Sequence, residues 1–532
     1  MSRRLTIAPV LFFTLTALIS SIGFIAGKGA GAYSAILAAA ALLLYGIWRD
    51  RRLFLAAVIT FAAAAVCTAF TGFIMDASYD GMYFHKEAVY ALANGWTPLY
   101  TPLAAFDRFA DCQDLALWLD NYPKGVWSLY AAFYDITGSI ECAKGANILF
   151  VMALFFSAFD TVHTVFGLSG FKRAVISAAF AANPVILSQF FTFYNDLPVA
   201  ALIMICAFCG MKIYADTADK YDYICLAAAF AASFSVKFTA PIFCGAVLLA
   251  YGAAVAVKTR GKGLLKPCVT VLIAAAIGVC IIGADPYIKH IANGQNPIYP
   301  VMGEGKYDIM NTNPPAGFEA MPRAKQLFIS LFSRTEQDAG AQAKLKPPFS
   351  VGKDELEALA AADVRLGGFG VLFGGILLLC LPLLAACLVY LRRQSAAVPA
   401  LIIFALLALF FPESWWARYN PYTYYIPCLI TVWFFTGSKY KFFSTIISVL
   451  LILNGAISAS AVYSYLHGET KHIQAQLEAI SSDGRPVLLR INDFPSHAIW
   501  FSEAEIDYEV ANGPIDNPLI FYRTTKYKFI SE

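Results

Sequence analysis

The feature that most constrains this chain is a series of apolar runs, each close to the length that crosses a lipid bilayer. Spanning ~30 Å of hydrocarbon takes about 20 apolar residues in an α-helix, because lipid offers the backbone polar groups no partners. Such runs lie near residues 5–27, 31–48, 54–75, 141–166, 172–190, 197–214, 222–236, 239–257, 267–285, 368–391, 397–412, 421–437 and 442–463. They predict about 13 crossings. The first run is too long for the apolar core of a cleaved signal peptide, about 7–15 residues, and reads as a span. Composition agrees, with 59% of residues hydrophobic and 14% charged, where a soluble domain carries about 25% charged residues. No strongly basic patch points to nucleic acid.

Charge sets the orientation. Short basic clusters occur at Arg3 and Arg4, at Arg49, Arg51 and Arg52, at Lys172 and Arg173, and at Lys212 and Lys220. Further clusters lie at Lys258, Arg260, Lys262 and Lys266, at Arg392 and Arg393, and at Lys439 and Lys441. All fall on one side if the spans alternate, and that side is the cytoplasm. The N-terminus is therefore expected inside and, with an odd number of spans, the C-terminus outside.

The outer side is expected to carry two long loops, about 76–140 and 286–367, and a tail from about 464. Residues 1–463 read as the transmembrane domain and 464–532 as an extracytoplasmic domain. In the first loop Phe84, Ala88, Ala91 and Leu92 recur at helical spacing, as do apolar residues over 126–134. Both segments predict amphipathic helices lying on the outer membrane surface. In the tail, "RPVLLRIND", "AEIDYEV" and "LIFYRTTKYKF" read as strands split by Gly and Pro. The expected class is an all-α polytopic membrane protein with juxtamembrane amphipathic helices and a small extracytoplasmic α/β appendage. Of the 12 cysteines, Cys112 and Cys142 sit in or beside the first outer loop, where an oxidising compartment would allow a bridge. The others lie in predicted spans as small apolar residues.

Polar residues gather at the outer ends of the spans. The first outer loop holds Asp76, Asp80 and His85, then "NYPKG" with Tyr122 and Lys124. "FYNDLP" carries Asn195 and Asp196, "SVKFTAP" carries Lys237, "ADPYIKH" carries Asp285 and Lys289, and "FPESWWARYNP" carries Glu413 and Arg418. A carboxylate can take a proton from a hydroxyl, while Arg and Lys can hold a phosphate. Taken singly, each residue has a bland reading: Lys and Arg snorkel at membrane edges, and Asp80 caps the helix that follows it. Together on one face they point to a single site at the membrane–water boundary. Phosphate-binding loops, H-E-x-x-H zinc pairs, G-x-S-x-G elbows and Asp-x-Asp cradles are missing.

"SYDGMYFHKEAVYALANGWTPLY", followed by "NYPKG", "FYNDLP", "NPIYP" and "WWARYNP", resembles the GT-C superfamily of integral membrane glycosyltransferases. Within it the chain is similar to the bacterial enzymes that use polyprenyl-phosphate sugars. The resemblance covers most of residues 54–437. It departs from the family in placing the first outer loop after the third span rather than the first, which implies an added N-terminal hairpin or a shifted numbering of the shared core. The resemblance implies a bacterial inner (cytoplasmic) membrane, a polyprenyl-phosphate-linked sugar as donor, and an extracytoplasmic glycan, lipid or protein as acceptor, with membrane lipids around it. It implies Asp80 as general base, with Asp76 as the alternative, and inversion at the anomeric carbon. Arg418 and Lys237, then Lys124 and Lys289, would hold the donor phosphate. Asp196 and Asn195, with Glu413 and Tyr122, would orient acceptor or sugar, or Asp196 would hold a divalent cation. His85 would bond sugar or phosphate, or sit under the loop. Some members of the family use Mg²⁺ or Mn²⁺ and others use no metal.

Three other readings compete. A glycan ligase or oligosaccharyltransferase with a lipid-pyrophosphate donor would use the same face. A flippase or transporter would place its site near the bilayer midplane, where this chain has few ionisable residues besides Asp160 and His163. A non-enzymatic scaffold would not need acids and bases gathered at one depth.

Overall fold

The computed structural model describes residues 1–105, 113–390, 395–437, 441–511 and 513–530. Cys112, Arg392, Arg393 and Lys439 lie outside these, so the expected Cys112–Cys142 bridge falls outside the described residues.

The chain is mostly helical. It opens with α1 (Ser2–Ile25), α2 (Ala32–Arg49) and α3 (Arg51–Thr71), then α4 (Lys86–Ala93), α5 (Gln113–Asn121) and α6 (Gly125–Thr137) in the first long loop. There follow α7 (Ile148–Thr164), α8 (Gly170–Ala181), α9 (Pro184–Ser188), α10 (Asp196–Tyr214), α11 (Lys220–Ser233), α12 (Thr239–Thr259) and α13 (Leu265–Ile277). The second long loop holds the short α14 (Lys289–Ala292), α15 (Arg323–Phe332) and α16 (Lys353–Ala358). Then come α17 (Phe373–Tyr390), α18 (Val398–Phe410), α19 (Tyr425–Gly437), α20 (Lys441–Asp483) and α21 (His497–Glu503).

Among the described residues, 8 helices are long and apolar enough to cross a membrane. Their outward faces stay apolar: Leu44 and Trp48 on α2, Val66 and Phe70 on α3, Leu249 and Val257 on α12 and Leu272 on α13 are all exposed. An apolar surface of that extent suits lipid rather than water. By contrast α1 is largely buried and packs against α2, α7 and α11. It is a central helix of the bundle and not a peripheral anchor.

The other expected spans are shorter or broken. The run 172–190 divides into α8 and α9, because Asn183 caps a new helix through Val185 N–H and Pro184 takes its first turn. The run 421–437 begins as a 3₁₀ turn over Pro421–Tyr424 before α19 starts. At 13 residues each, α18 and α19 measure about 20 Å, less than the ~30 Å of a hydrocarbon core.

Two expectations fail in the first long loop. The segments expected to lie flat on the membrane are instead wrapped by protein. α4 buries Lys86, Glu87, Ala88, Val89, Ala91 and Leu92, and α6 buries every residue from Gly125 to Phe133. Apolar spacing identified the helices, but their polar faces found protein partners instead of solvent.

The domain boundary expected at 463/464 falls inside α20, a single helix of 43 residues. Good helix formers follow position 464, and Gly468 alone does not break the run. The upper half of α20 turns Thr470, Ile473, Leu477 and Ile480 inward at helical spacing, and Thr470 Oγ1 accepts from Met75 N–H at 2.8 Å. The appendage proper follows Asp483. It is a four-stranded sheet of β1 (Val487–Arg490), β2 (Tyr508–Val510), β3 (Leu519–Ile520) and β4 (Lys526–Phe529), in the order β2-β1-β4-β3. β1 and β2 are parallel and joined through α21, while the other pairs are antiparallel.

The appendage is seated on the first long loop. Ser496 Oγ donates to Met82 O at 2.7 Å, and Trp500 Nε1 donates to Glu141 at 2.9 Å. Glu141 also receives Lys86 at 3.2 Å and Lys144, and Asp76 N–H donates to it at 2.9 Å. Lys86 lies over the Trp500 ring at 3.9 Å. Such a buried charge knot is stable only when its members are all paired, so it locks loop, bundle and appendage in one geometry.

Candidate functional site

Four segments remote in sequence meet at one end of the bundle. Asp80 follows α3 and opens a π-helical turn over Gly81–His85. Asp196 is the first residue of α10. Lys237 lies between α11 and α12, and Arg418 sits in a 3₁₀ turn ahead of α19. Arg418 joins them: its Nη2 is 2.9 Å from Asp80 Oδ2, its Nε is 2.9 Å from Asp196 Oδ2 and its Nη1 is 4.0 Å from Asp363 Oδ2. Lys237 Nζ reaches Asp196 Oδ1 at 2.5 Å, and Gln189 Nε2 donates to Asp196 Oδ2 at 3.0 Å. The guanidinium lies over the Tyr194 ring at 4.5 Å, and the Lys237 ammonium lies over Tyr419 at 4.3 Å.

These groups line a cavity of about 730 Å³, within the usual size range of small-molecule sites. Its walls are aromatic (Tyr79, Tyr83, Trp118, Tyr122, Trp416 and Tyr419), with the charged groups set between the rings. The two main carboxylates differ in role. Asp196 is 1% exposed and saturated by Lys237, Arg418 and Gln189, whereas Asp80 keeps 19% exposure and a single charged partner. Of these two, Asp80 is the carboxylate more open to the cavity. Burial lowers the Lys237 ammonium from its ordinary range, and Asp196 opposes that shift. Burial raises the Asp363 carboxyl, and Arg418 pulls it back.

Seven of the expected residues, Asp80, His85, Tyr122, Asn195, Asp196, Lys237 and Arg418, stand in the cavity wall. His85 is buried, and its Nδ1 accepts the Trp127 indole N–H at 2.8 Å. Asp80 makes no side-chain cap to the helix after it, because its carboxylate is turned to Arg418.

Four expected residues lie elsewhere. Asp76, the alternative base, is fully buried away from the cavity wall, where its carboxylate accepts Ser78 N–H at 2.9 Å and Phe193 N–H at 3.0 Å. It anchors the loop that carries Asp80. Lys124 and Lys289 flank Asp285 at 2.6 and 3.4 Å, and both also donate to the Asp120 carbonyl. They staple the first long loop to residues 285–289 rather than offering their charge to a ligand. Glu413 is half-buried beside the turn that holds Arg418 and does not line the cavity. Among the described residues Cys142 has no disulfide partner.

Several cavity residues were not expected. Asp363 comes from the second long loop, Arg365 follows it, and Arg523 comes from the appendage. Trp416 and Tyr419 stood within the quoted "WWARYNP", but only their rings' position in the cavity gives them a role. Among the described residues no group of three His, Cys, Asp or Glu side chains is placed to hold a metal ion, and the Asp196 carboxylate oxygens already accept from Lys237, Arg418 and Gln189.

The opposite end of the bundle carries a different cluster. Arg3 bonds Asp160 at 2.9 Å and Asp219 at 2.5 Å, and Lys212 bridges Asp160 and Asp222 at 2.7 and 2.8 Å. Asp196 and Lys212 stand on the same helix, 16 residues apart, which at 1.5 Å per residue is about 24 Å. No protein-family model, curated protein or solved structure matches the chain.

Proposed function

We propose that the chain is a membrane glycosyltransferase of the GT-C type, moving a sugar from a polyprenyl phosphate to a hydroxyl of an extracytoplasmic acceptor. The observation that carries this reading is Arg418 bridging Asp80 and Asp196 in the wall of an aromatic-lined cavity. That arrangement supplies a base and an anion holder within one side chain of each other.

The step runs as one displacement. The acceptor oxygen attacks the anomeric carbon and gives its proton to Asp80. The bond from that carbon to the phosphate oxygen breaks, and the polyprenyl phosphate leaves with the bonding pair. Attack opposite the leaving group inverts the anomeric centre. The leaving charge is met by Arg418 and Lys237, which is electrostatic stabilisation where the charge develops. Donor phosphate competes with Asp80 for Arg418 Nη2, and the carboxylate it displaces becomes the free base. Asp196 keeps both cations in place throughout. In this reading α8 and α9 together as one crossing, with α11, α17, α18 and α19, complete about 13 crossings, the cavity faces outward, and the end bearing Arg3 faces the cytoplasm.

The test is transfer by purified protein in vesicles, offered a panel of polyprenyl-phosphate sugars, polyprenyl-pyrophosphate sugars and nucleotide sugars. The expected result is consumption of a monophosphate donor, falling by about 10²–10⁴ in Asp80→Asn, the usual weight of a general base. Turnover with a nucleotide sugar alone overturns the donor class, and use of the pyrophosphate donors only makes the chain a glycan ligase. Undiminished turnover in Asp80→Asn removes that residue's role.

A further inference from the structure

The C-terminal appendage does not merely cover the bundle, because one of its arginines forms part of the cavity wall. Arg523 stands at the tip of the hairpin between β3 and β4, where Phe521 N–H donates to Thr525 O and Thr525 N–H to Tyr522 O. Its φ is +52°, a left-handed conformation that suits glycine and strains a longer side chain. The exposed side chain is nonetheless held: its Nη2 donates to Ala77 O at 3.0 Å and to the Tyr465 hydroxyl at 3.2 Å. Ala77 lies three residues before Asp80 on the same loop.

Arg523 differs from Arg418 and Lys237 in its partners, as does Arg365 of the same wall, which meets Gln337 O and Asn313 Oδ1. Arg418 and Lys237 are each neutralised by carboxylates. Among the described residues Arg523 meets a carbonyl, hydroxyls and the Phe494 and Tyr522 rings at 5.5 and 5.6 Å. Among the described residues no carboxylate pairs with it. A guanidinium in a cavity wall without a counter-charge is a place for an anion, and its planar fork suits phosphate or carboxylate. Beside it is an aromatic platform: Tyr79 is exposed, stacked on Tyr83 at 5.8 Å and edge-on to Phe494 at 5.4 Å.

We propose that Arg523 is the acceptor's anion-binding residue, so that the acceptor is a saccharide bearing a phosphate or carboxylate close to the accepting hydroxyl. This rests on the transferase reading for the word acceptor, but the binding it claims is measurable without transfer. The anion would sit on Arg523, the sugar ring on Tyr79, and the hydroxyl toward Asp80. The appendage is then a specificity element, fixed in register by Trp500 on Glu141 and Ser496 on Met82.

The experiment is equilibrium binding of three soluble probes, glucose 6-phosphate, glucuronate and glucose, to the full-length protein in nanodiscs. One or both anionic probes should bind about tenfold or more tightly than glucose, the usual worth of a charge-assisted bond, and whichever does names the group as phosphate or carboxylate. The preference should vanish in Arg523→Ala and in Arg523→Gln, the second keeping an amide donor for Ala77 and Tyr465 in case the first fails to fold. It should survive in Lys526→Ala, which removes an exposed charge of the same hairpin outside the cavity. Absence of any preference in the wild-type protein overturns the proposal, whether all three probes bind alike or none binds. So does a preference that persists in both Arg523 variants. Anion preference without sugar transfer would instead count against the transferase reading alone.

Discussion

His85 shows how one residue's protonation state is set by its neighbours. Indole N–H can only donate, so the 2.8 Å bond from Trp127 makes Nδ1 an acceptor and leaves the ring proton on Nε2. Burial lowers the His85 pKa well below 6.5, and Arg418 lowers it further against the pull of Asp196. The linkage has a definite sign. Unfolded His85 takes up a proton as pH falls below about 6.5 while the folded ring does not, so stability falls with pH across that window. Lowering the pH from 7 to 5 should therefore reduce the Tm of wild type more than that of His85→Gln. Parallel pH curves for the two proteins would contradict a neutral, buried His85. The charged centre of the cavity could be read from residue types, since Asp80, Asp196, Lys237 and Arg418 are charges at span ends, whereas the wall given by the second long loop could not. What could not be read is which charges are spent on each other. Lys124 and Lys289 look like Lys237 in sequence, yet they close on Asp285, while Asp76 and Asp80 differ only in which way the loop turns them. Arg523 carried no signal at all, because a basic residue in a strand-like tail has no distinguishing neighbour until the hairpin folds onto Ala77.

At the scale of elements, α20 decides whether the cavity keeps its shape. It passes the break between α8 and α9 at Gly455, where an added Cβ would lie 2.2 Å from the Ala182 carbonyl oxygen. Nearby Asn454 accepts Leu372 N–H at 2.9 Å and donates to Phe369 O at 2.7 Å, so the same turn of α20 also fixes the start of α17. Further along, Val462, Tyr465 and Leu466 enter the cavity wall. Gly455→Ala gains helix propensity of about 1 kcal/mol but forces the helix against an unyielding backbone atom, and overpacking costs about 1–3 kcal/mol. The clash should win, giving a lower Tm. Gly468→Ala is the matched control in the same helix: nothing lies within 4 Å of its added Cβ, and it should raise Tm or leave it unchanged. Equal effects at both positions would mean that propensity alone governs α20. Helix existence was readable here because apolar runs of span length admit little else in lipid. Helix ends were less so. The 172–190 break lies at Asn183-Pro184, but the continuity of α20 past 463 depended on its upper half finding a face to bury, as Thr470 does at Met75.

At the scale of the whole molecule, the two ends of the bundle carry different chemistry, and orientation decides which substrates can reach the cavity. One end holds Arg3, Lys212 and the carboxylates that neutralise them, and the other holds Asp80, Asp196, Lys237 and Arg418. α10 links the two over about 24 Å, most of the ~30 Å of a bilayer core. Basic loops stay in the cytoplasm, so exposed Lys262 should face inward while Glu509, exposed on β2 of the appendage, should face outward with the cavity. Single substitutions Lys262→Cys and Glu509→Cys test this with a membrane-impermeant maleimide, the unsubstituted chain giving the background of its own thiols. Glu509→Cys should label in intact cells stripped of their outer barrier, and Lys262→Cys only after lysis. The reverse pattern would open the cavity to the cytoplasm, where nucleotide-linked sugars are at hand and a lipid carrier is not needed to bring a sugar to Asp80. An outward cavity has the opposite consequence. A soluble nucleotide sugar would then lie on the wrong side of the membrane, so on the proposed reading the sugar would arrive linked to a lipid phosphate, the group which that reading assigns to Arg418 and Lys237.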